Sequence, residues 1–143
     1  MKKNLMAIVA GAAVMFVLGG LMYEVLLAGF YEANLGSATG VAREVPIWWA
    51  LIVGELGFAA LVTYVFRHIG IASASAGLKT GAIFGLLFGL SLAFNLYGVT
   101  NWSTITVAFV EPLVTAVRVA LAGAAIGWVL GKGGSTESPR TQD

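Results

Sequence analysis

Long apolar stretches alternate with short polar segments along this chain, and the pattern predicts four membrane-spanning helices. A helix needs about 20 apolar residues to cross the hydrocarbon core of a bilayer. Stretches of that length cover residues 5–30, 46–66, 77–97 and about 105–130. The sequence therefore predicts an all-α fold, a polytopic four-helix transmembrane bundle in which residues 1–131 form one domain.

The segments between the apolar stretches are short, and they predict simple connections. Residues 31–45 are rich in Gly, Ser, Thr and Asn, which is typical of a turn-rich coil. Residues 68–76 and 98–104 are shorter turns. Residues 132–143 have too little apolar content to pack against the bundle, so we predict a disordered cytoplasmic tail.

Basic residues collect on one side of the predicted bundle. Short cytoplasmic segments of membrane proteins carry an excess of Lys and Arg. The other side holds only Arg43, so we expect both termini to be cytoplasmic, in the inner membrane of a bacterium. The basic residues on the predicted cytoplasmic side are Lys2, Lys3, Arg67, Lys79, Lys132 and Arg140.

Composition agrees with a membrane protein and narrows the chemistry. Hydrophobic residues make up 59% of the chain, charged residues make up 10%, and the net charge is +1. No basic patch with interleaved aromatic residues indicates nucleic-acid binding. The absence of cysteine excludes disulfides and thiolate catalysis, and a single histidine excludes a histidine-rich metal site. We expect no cofactor and no metal.

Glycines recur every four residues in the third and fourth spans. Residues at this spacing lie nearly on one face of a helix, where a missing side chain lets another backbone approach closely. We expect these GxxxG ladders to pack the third span against the fourth, with a homodimer face as the alternative. The ladder glycines are Gly77, Gly81, Gly85, Gly89, Gly123 and Gly127.

Two charged residues interrupt the fourth span, in the stretch "FVEPLVTAVRVAL". Glu111 and Arg118 are seven residues apart and share a face, and Arg118 falls close to the middle of the membrane. A charge at the bilayer centre costs about 2.5–3.5 kcal/mol on insertion scales, so such groups usually find partners inside the bundle. We expect Arg118 to meet both Glu55 of the second span and Glu111, forming a buried polar cluster.

Glu24 and Asn95 lie near the outer ends of the first and third spans. A carboxylate without a cationic partner has a raised pKa and can carry a proton. This pair is therefore the candidate proton or ligand site.

Pro112 directly follows Glu111 and leaves two structures open for the fourth span. Proline lacks a backbone N–H, so within a helix it produces a kink and frees the carbonyl of Ala108. Alternatively, Pro112 occupies the first turn of a helix that begins near Glu111, because proline is favoured there.

Three function classes follow from these residues. The leading interpretation is a non-enzymatic membrane protein, a scaffold or partner subunit, with membrane lipid around it and a homo-oligomer or another membrane protein as partner. The alternative is a small transporter or channel for protons or a cation. A weaker alternative is a lipid- or quinone-binding subunit that uses aromatic rings near the outer side. We expect no enzymatic activity, because no nucleophile–base pair or metal-ligand spacing is present.

Both ends of the chain resemble a known family. The start, "NLMAIVAGAAVMFVLGGLMYEVLLAGFY", and the end, "VEPLVTAVRVALAGAAIGWVLGK", are similar to a bacterial family of four-helix integral membrane proteins of unknown function. The resemblance covers most of the chain, although its motifs are mainly apolar and Arg118 has no counterpart in them. It implies a four-helix inner-membrane fold and supplies no activity.

Overall fold

The chain is all-α in the structure, a computed structural model that describes residues 1–41 and 43–132. No β-strand forms in those two ranges. The prediction of an all-α fold is confirmed, and most of the predicted tail lies outside the described residues. The elements are α1 (Lys2–Gly19), a π-helical segment (Gly20–Leu26), α2 (Ala28–Ala33), α3 (Trp48–His68), α4 (Ala74–Val99) and α5 (Ile105–Gly131).

Four of these helical stretches are long and apolar enough to cross a membrane, which confirms that transmembrane helices build the fold. The first span combines α1 with the π-helical segment and covers Lys2–Leu26. The other three spans are α3, α4 and α5 themselves. The first span changes from an α-helix to a π-helix at Gly20 and ends at Leu26, whereas the sequence predicted one regular helix over residues 5–30.

Helix α5 is the central element of the bundle. Half of its most apolar stretch is buried inside the protein, whereas at most 22% is buried in each of the other spans. It packs closely against α4 on one side and against α1 on the other, and α1 in turn packs against α3. The largest fully buried side chains are Phe66, Met15, Ile126, Val62 and Val119.

The contact between α4 and α5 brings the two backbones together through glycine. A Cβ atom on Gly77 would collide with the carbonyl oxygen of Gly123, and a Cβ atom on Gly81 would collide with that of Val119. A Cβ atom on Gly89 would lie 2.9 Å from the Cα of Pro112. Without these missing side chains, the helices could not approach so closely.

Aromatic rings join α3 to α4. The ring centroid of Phe58 on α3 lies 4.8 Å from that of Phe88 and 6.1 Å from that of Phe84, both on α4. These helices otherwise make few contacts. Large rings therefore close the side of the bundle where the backbones stand apart.

Successive spans run in opposite directions, which gives the bundle two distinct ends. The basic end contains the start of α1 and the end of α3, where Arg67 donates a hydrogen bond to the Asn4 side chain at 2.5 Å. The loop end contains the connections of residues 27–47 and 100–104. There the backbone N–H of Gly36 donates to the carbonyl of Trp102 at 2.8 Å, which joins the two connections.

Helix α5 begins at Ile105 and continues through Pro112 without interruption. The alternative in which a helix starts near Glu111 is therefore wrong. Pro112 is buried against α4, beside Gly89, and so protein covers the point where the helix lacks a backbone hydrogen bond.

We predict that Gly81→Ala destabilises the bundle, because the added Cβ would overlap the carbonyl oxygen of Val119. Overpacking of this kind costs about 1–3 kcal/mol. The matched control is Gly54→Ala on α3, where no atom lies within 4 Å of the added Cβ. Unfolding of both variants in detergent micelles checks the difference, and equal stabilities would contradict a close α4–α5 contact.

Candidate functional site

A set of polar side chains meets in the half of the bundle nearer the loop end. We call it the polar cluster, and it joins four separate helical elements through side-chain contacts. Its members are Glu55 on α3, Glu111 and Arg118 on α5, Tyr23 on the π-helical segment and Tyr31 on α2.

Arg118, the middle residue of α5, forms an ion pair with Glu55. One guanidinium nitrogen, Nη2, lies 2.6 Å from Oε1 of Glu55 and also donates to the backbone carbonyl of Met15 at 3.0 Å. The side chains of Arg118 and Glu55 are 15% and 23% exposed. This one guanidinium group therefore connects α5 to both α3 and α1.

The first span makes room for the guanidinium group at Gly19. A Cβ atom at this position would lie 3.0 Å from Nη2 of Arg118, closer than most side-chain contacts. The guanidinium carbon also lies 5.3 Å from the centroid of the Tyr23 ring, within the range of a cation–π interaction. The Nε atom of Arg118 is buried and has no hydrogen-bond partner among the described residues.

Glu111 accepts hydrogen bonds from three side chains instead of pairing with Arg118. The hydroxyl groups of Tyr23 and Tyr31 each donate to a different carboxylate oxygen, both at 2.5 Å. Thr115, one turn further along α5, donates at 3.3 Å. Because Tyr31 lies outside the four spans, Glu111 is linked directly to the loop end.

The irregular end of the first span brings the two tyrosines to the same carboxylate. Residues eight positions apart in a regular α-helix are separated by about 12 Å along its axis. Here the helix widens to a π-helix at Gly20 and breaks at Leu27 before α2 begins. The Tyr23 and Tyr31 ring centroids consequently lie 5.2 Å apart.

The environment of Tyr31 favours its protonated form. Partial burial raises the pKa of the Tyr31 phenol above its ordinary value, and the hydrogen bond to Glu111 raises it further. A phenol that keeps its proton remains a hydrogen-bond donor. Tyr31 can therefore hold the carboxylate over a wide pH range.

Of the three residues predicted for the cluster, Glu55 and Arg118 form an ion pair. The predicted contact between Arg118 and Glu111 is wrong, because the Glu111 oxygens face tyrosine hydroxyls instead. Sequence reasoning missed Tyr23 and Tyr31, because tyrosines near the end of a span are typical of an interfacial aromatic belt. The available signal was the hydroxyl group, which needs a partner when it is buried.

The other predicted site, Glu24 with Asn95, receives no contact of this kind. Both residues are exposed on the protein surface. The Asn95 amide donates to the carbonyl of Ser91 on its own helix at 2.7 Å. Among the described residues, no group of three His, Asp or Glu side chains could hold a metal ion.

The polar cluster can stabilise charge. It contains two carboxyl groups and one guanidinium group, so one carboxyl group has no cationic partner within it. Its hydrogen bonds run from Tyr31 near the loop end to Glu111, and a separate ion pair lies deeper.

The chain matches no protein-family profile, no curated protein and no solved structure.

We predict that Glu55→Leu costs about 3 kcal/mol of stability, because it leaves Arg118 buried without an anion. Arginine cannot lose its proton, so the variant has no way to neutralise the site. The double variant Glu55→Leu/Arg118→Leu should lose less than Glu55→Leu alone. Unfolding in micelles measures all three proteins, and a double variant that is less stable than Glu55→Leu would contradict the ion pair.

Tyr31→Phe should lower the free energy of unfolding by about 1.5 kcal/mol, because it removes a hydrogen bond to a carboxylate. Tyr97→Phe is the matched control, since Tyr97 lies exposed on α4. Equal losses in the two variants would show that the Tyr31 hydroxyl has no special partner.

The same variant has a predicted pH dependence. A pKa that is raised on folding stabilises the protein fully below the unfolded value, here 10.0, and this stabilisation is lost as the pH rises further. The native chain should therefore lose stability above pH 10 more steeply than Tyr31→Phe. Parallel slopes in alkaline unfolding experiments would contradict this interpretation.

Proposed function

We propose that this chain is a non-enzymatic membrane protein that serves as a scaffold or partner subunit within the bilayer. In this proposal, the polar cluster fixes how the spans are arranged. The observation that carries it is that Glu55, Glu111 and Arg118 each bind groups on other helical elements. The groups that a substrate would need are thus already used by the protein.

The distribution of charge supports an orientation. Lys2, Lys3, Arg67, Lys79 and Lys132 all lie at the basic end, whereas Arg43 belongs to the connection at the loop end. By the positive-inside rule, we place the basic end in the cytoplasm and the chain in a bacterial inner membrane. The resemblance of both chain ends to a bacterial four-helix family would imply the same assignment, although no protein-family profile matches the chain.

The ladder glycines support packing within one molecule. They face each other across the α4–α5 contact, so that face is already occupied in a single chain. A homo-oligomer would have to use another surface. The exposed half of α3 around Trp48, Trp49 and Gly54 is the surface we assign to a partner, because few contacts within the chain cover it.

A second candidate function, a proton or cation transporter, is favoured by one specific observation. The polar cluster holds one more carboxyl group than it has cations, and Glu111 is linked by Tyr31 to the loop end. A surplus negative charge within a membrane is costly, so a proton or a cation would be taken up to neutralise it. In this function, Glu111 would bind the transported ion.

Proton flux into proteoliposomes distinguishes the two functions. If the chain is a scaffold, we expect no flux above that of protein-free vesicles, and Glu111→Gln should lower stability only. Glu24→Gln is the matched control, because Glu24 is an exposed acid in the π-helical segment, next to Tyr23 in the sequence.

A native protein that carries protons would overturn the scaffold proposal. Loss of that flux in Glu111→Gln, together with normal flux in Glu24→Gln, would establish the transporter. The same comparison with Glu55→Gln tests whether the ion pair takes part.

A further inference from the structure

A cavity lies between α1 and α3 at the basic end, away from the polar cluster. Its volume is about 490 Å³, and it shares no lining residue with the cluster. Exposed side chains of α3 form its rim, namely Tyr64, Arg67 and His68, whereas the apolar Ile8 and Ala60 are half-buried and Thr63 is buried. The residues that line it include Asn4, Ile8, Thr63, Tyr64, Arg67 and His68.

The buried hydroxyl group of Thr63 lacks a partner. Thr63 is 2% exposed, and its Oγ1 forms no hydrogen bond with any described residue. Threonine within a helix commonly donates to the carbonyl four residues earlier, but this one does not. Buried polar groups are nearly always paired, so this unpaired hydroxyl group beside the cavity indicates a ligand with an oxygen acceptor. Because Oγ1 itself is covered by protein, such a ligand reaches it when the side chains that line the cavity shift.

The rim of the cavity supplies a positive charge. The Arg67 guanidinium group uses one N–H on Asn4, at 2.5 Å, and arginine has five such donors. A planar guanidinium group matches the geometry of a phosphate group well. His68 lies beside it, with its Nδ1 2.8 Å from the Tyr64 carbonyl, and leaves Nε2 for another partner.

The distance between Thr63 and Arg67 along α3 indicates which kind of phosphate compound would fit the cavity. Thr63 precedes Arg67 by one helical turn, which places it about 6 Å deeper along α3. A free phosphate ion is too small to extend over that distance. A phospholipid can do so, because its ester oxygens lie below its phosphate group and its acyl chains continue along apolar side chains such as Ile8.

We propose that this cavity binds the headgroup of an anionic phospholipid. Arg67 holds the phosphate group, and Thr63 donates to an ester oxygen of the glycerol backbone. The bound lipid fills the space between α1 and α3 at the membrane surface. This site is independent of the function proposed for the polar cluster.

Native mass spectrometry of the full chain in detergent, titrated with phosphatidylglycerol, tests the proposal. We expect Arg67→Gln to weaken phosphatidylglycerol binding about tenfold and Thr63→Val about threefold, as loss of hydrogen bonds to charged and neutral oxygens implies. The matched controls are Lys79→Gln and Thr80→Val on α4, at the same end but outside the cavity. Both controls should bind as the native chain does.

Three results would overturn the proposal. The first is unchanged phosphatidylglycerol binding in both cavity variants, or an equal loss in Lys79→Gln, which would indicate a general effect of charge. The second is equal binding of phosphatidylcholine, whose headgroup has no net charge. The third is displacement of phosphatidylglycerol by equimolar inorganic phosphate, which would identify a simple anion site.

Discussion

The arrangement of this bundle depends on a cation that cannot be neutralised. Arg118 occupies the middle of the last span, and a guanidinium group keeps its proton at any relevant pH. Its charge must therefore be satisfied inside the protein. The Glu55 carboxylate and the Met15 carbonyl meet this requirement from two different helices, and Gly19 leaves the necessary space. This one side chain therefore connects α1, α3 and α5 at the same depth.

The two sides of α5 are stabilised by different physical means. Towards α4, glycine lets the backbones touch, so dispersion forces act over a long and close contact. Towards α1 and α3, the contact is looser and combines the ion pair with large apolar side chains such as Phe66 and Ile126. Within a membrane, burial of apolar surface alone does not hold helices together, because lipid chains are equally apolar. The close glycine contact and the ion pair therefore supply the stabilisation that burial of apolar surface cannot.

The sequence predicts the spans well, because hydrocarbon thickness sets the length of an apolar helix and few residues satisfy it by chance. It also leads to Glu55, since a central arginine requires an acid at similar depth. The π-helical segment at Gly20 is not predictable from the pattern, because its apolar residues fit an α-helix equally well. For the same reason, Tyr23 and Tyr31 could not be assigned to Glu111: eight residues of regular helix would have kept them apart.

The polar cluster and the cavity at the basic end act on the same pair of helices. Arg118 ties α3 to α1 halfway along the membrane, and the Arg67–Asn4 hydrogen bond ties them again at the basic end. Between these points lies the unpaired hydroxyl of Thr63. Buried side chains of α3, among them Val62 and Phe66, already pack in a common core with α1 on either side of this residue, and a hydrogen-bonding ligand would pair the hydroxyl group as well. If the cavity binds lipid as proposed, the contact between α1 and α3 is the place where that lipid would act on the fold.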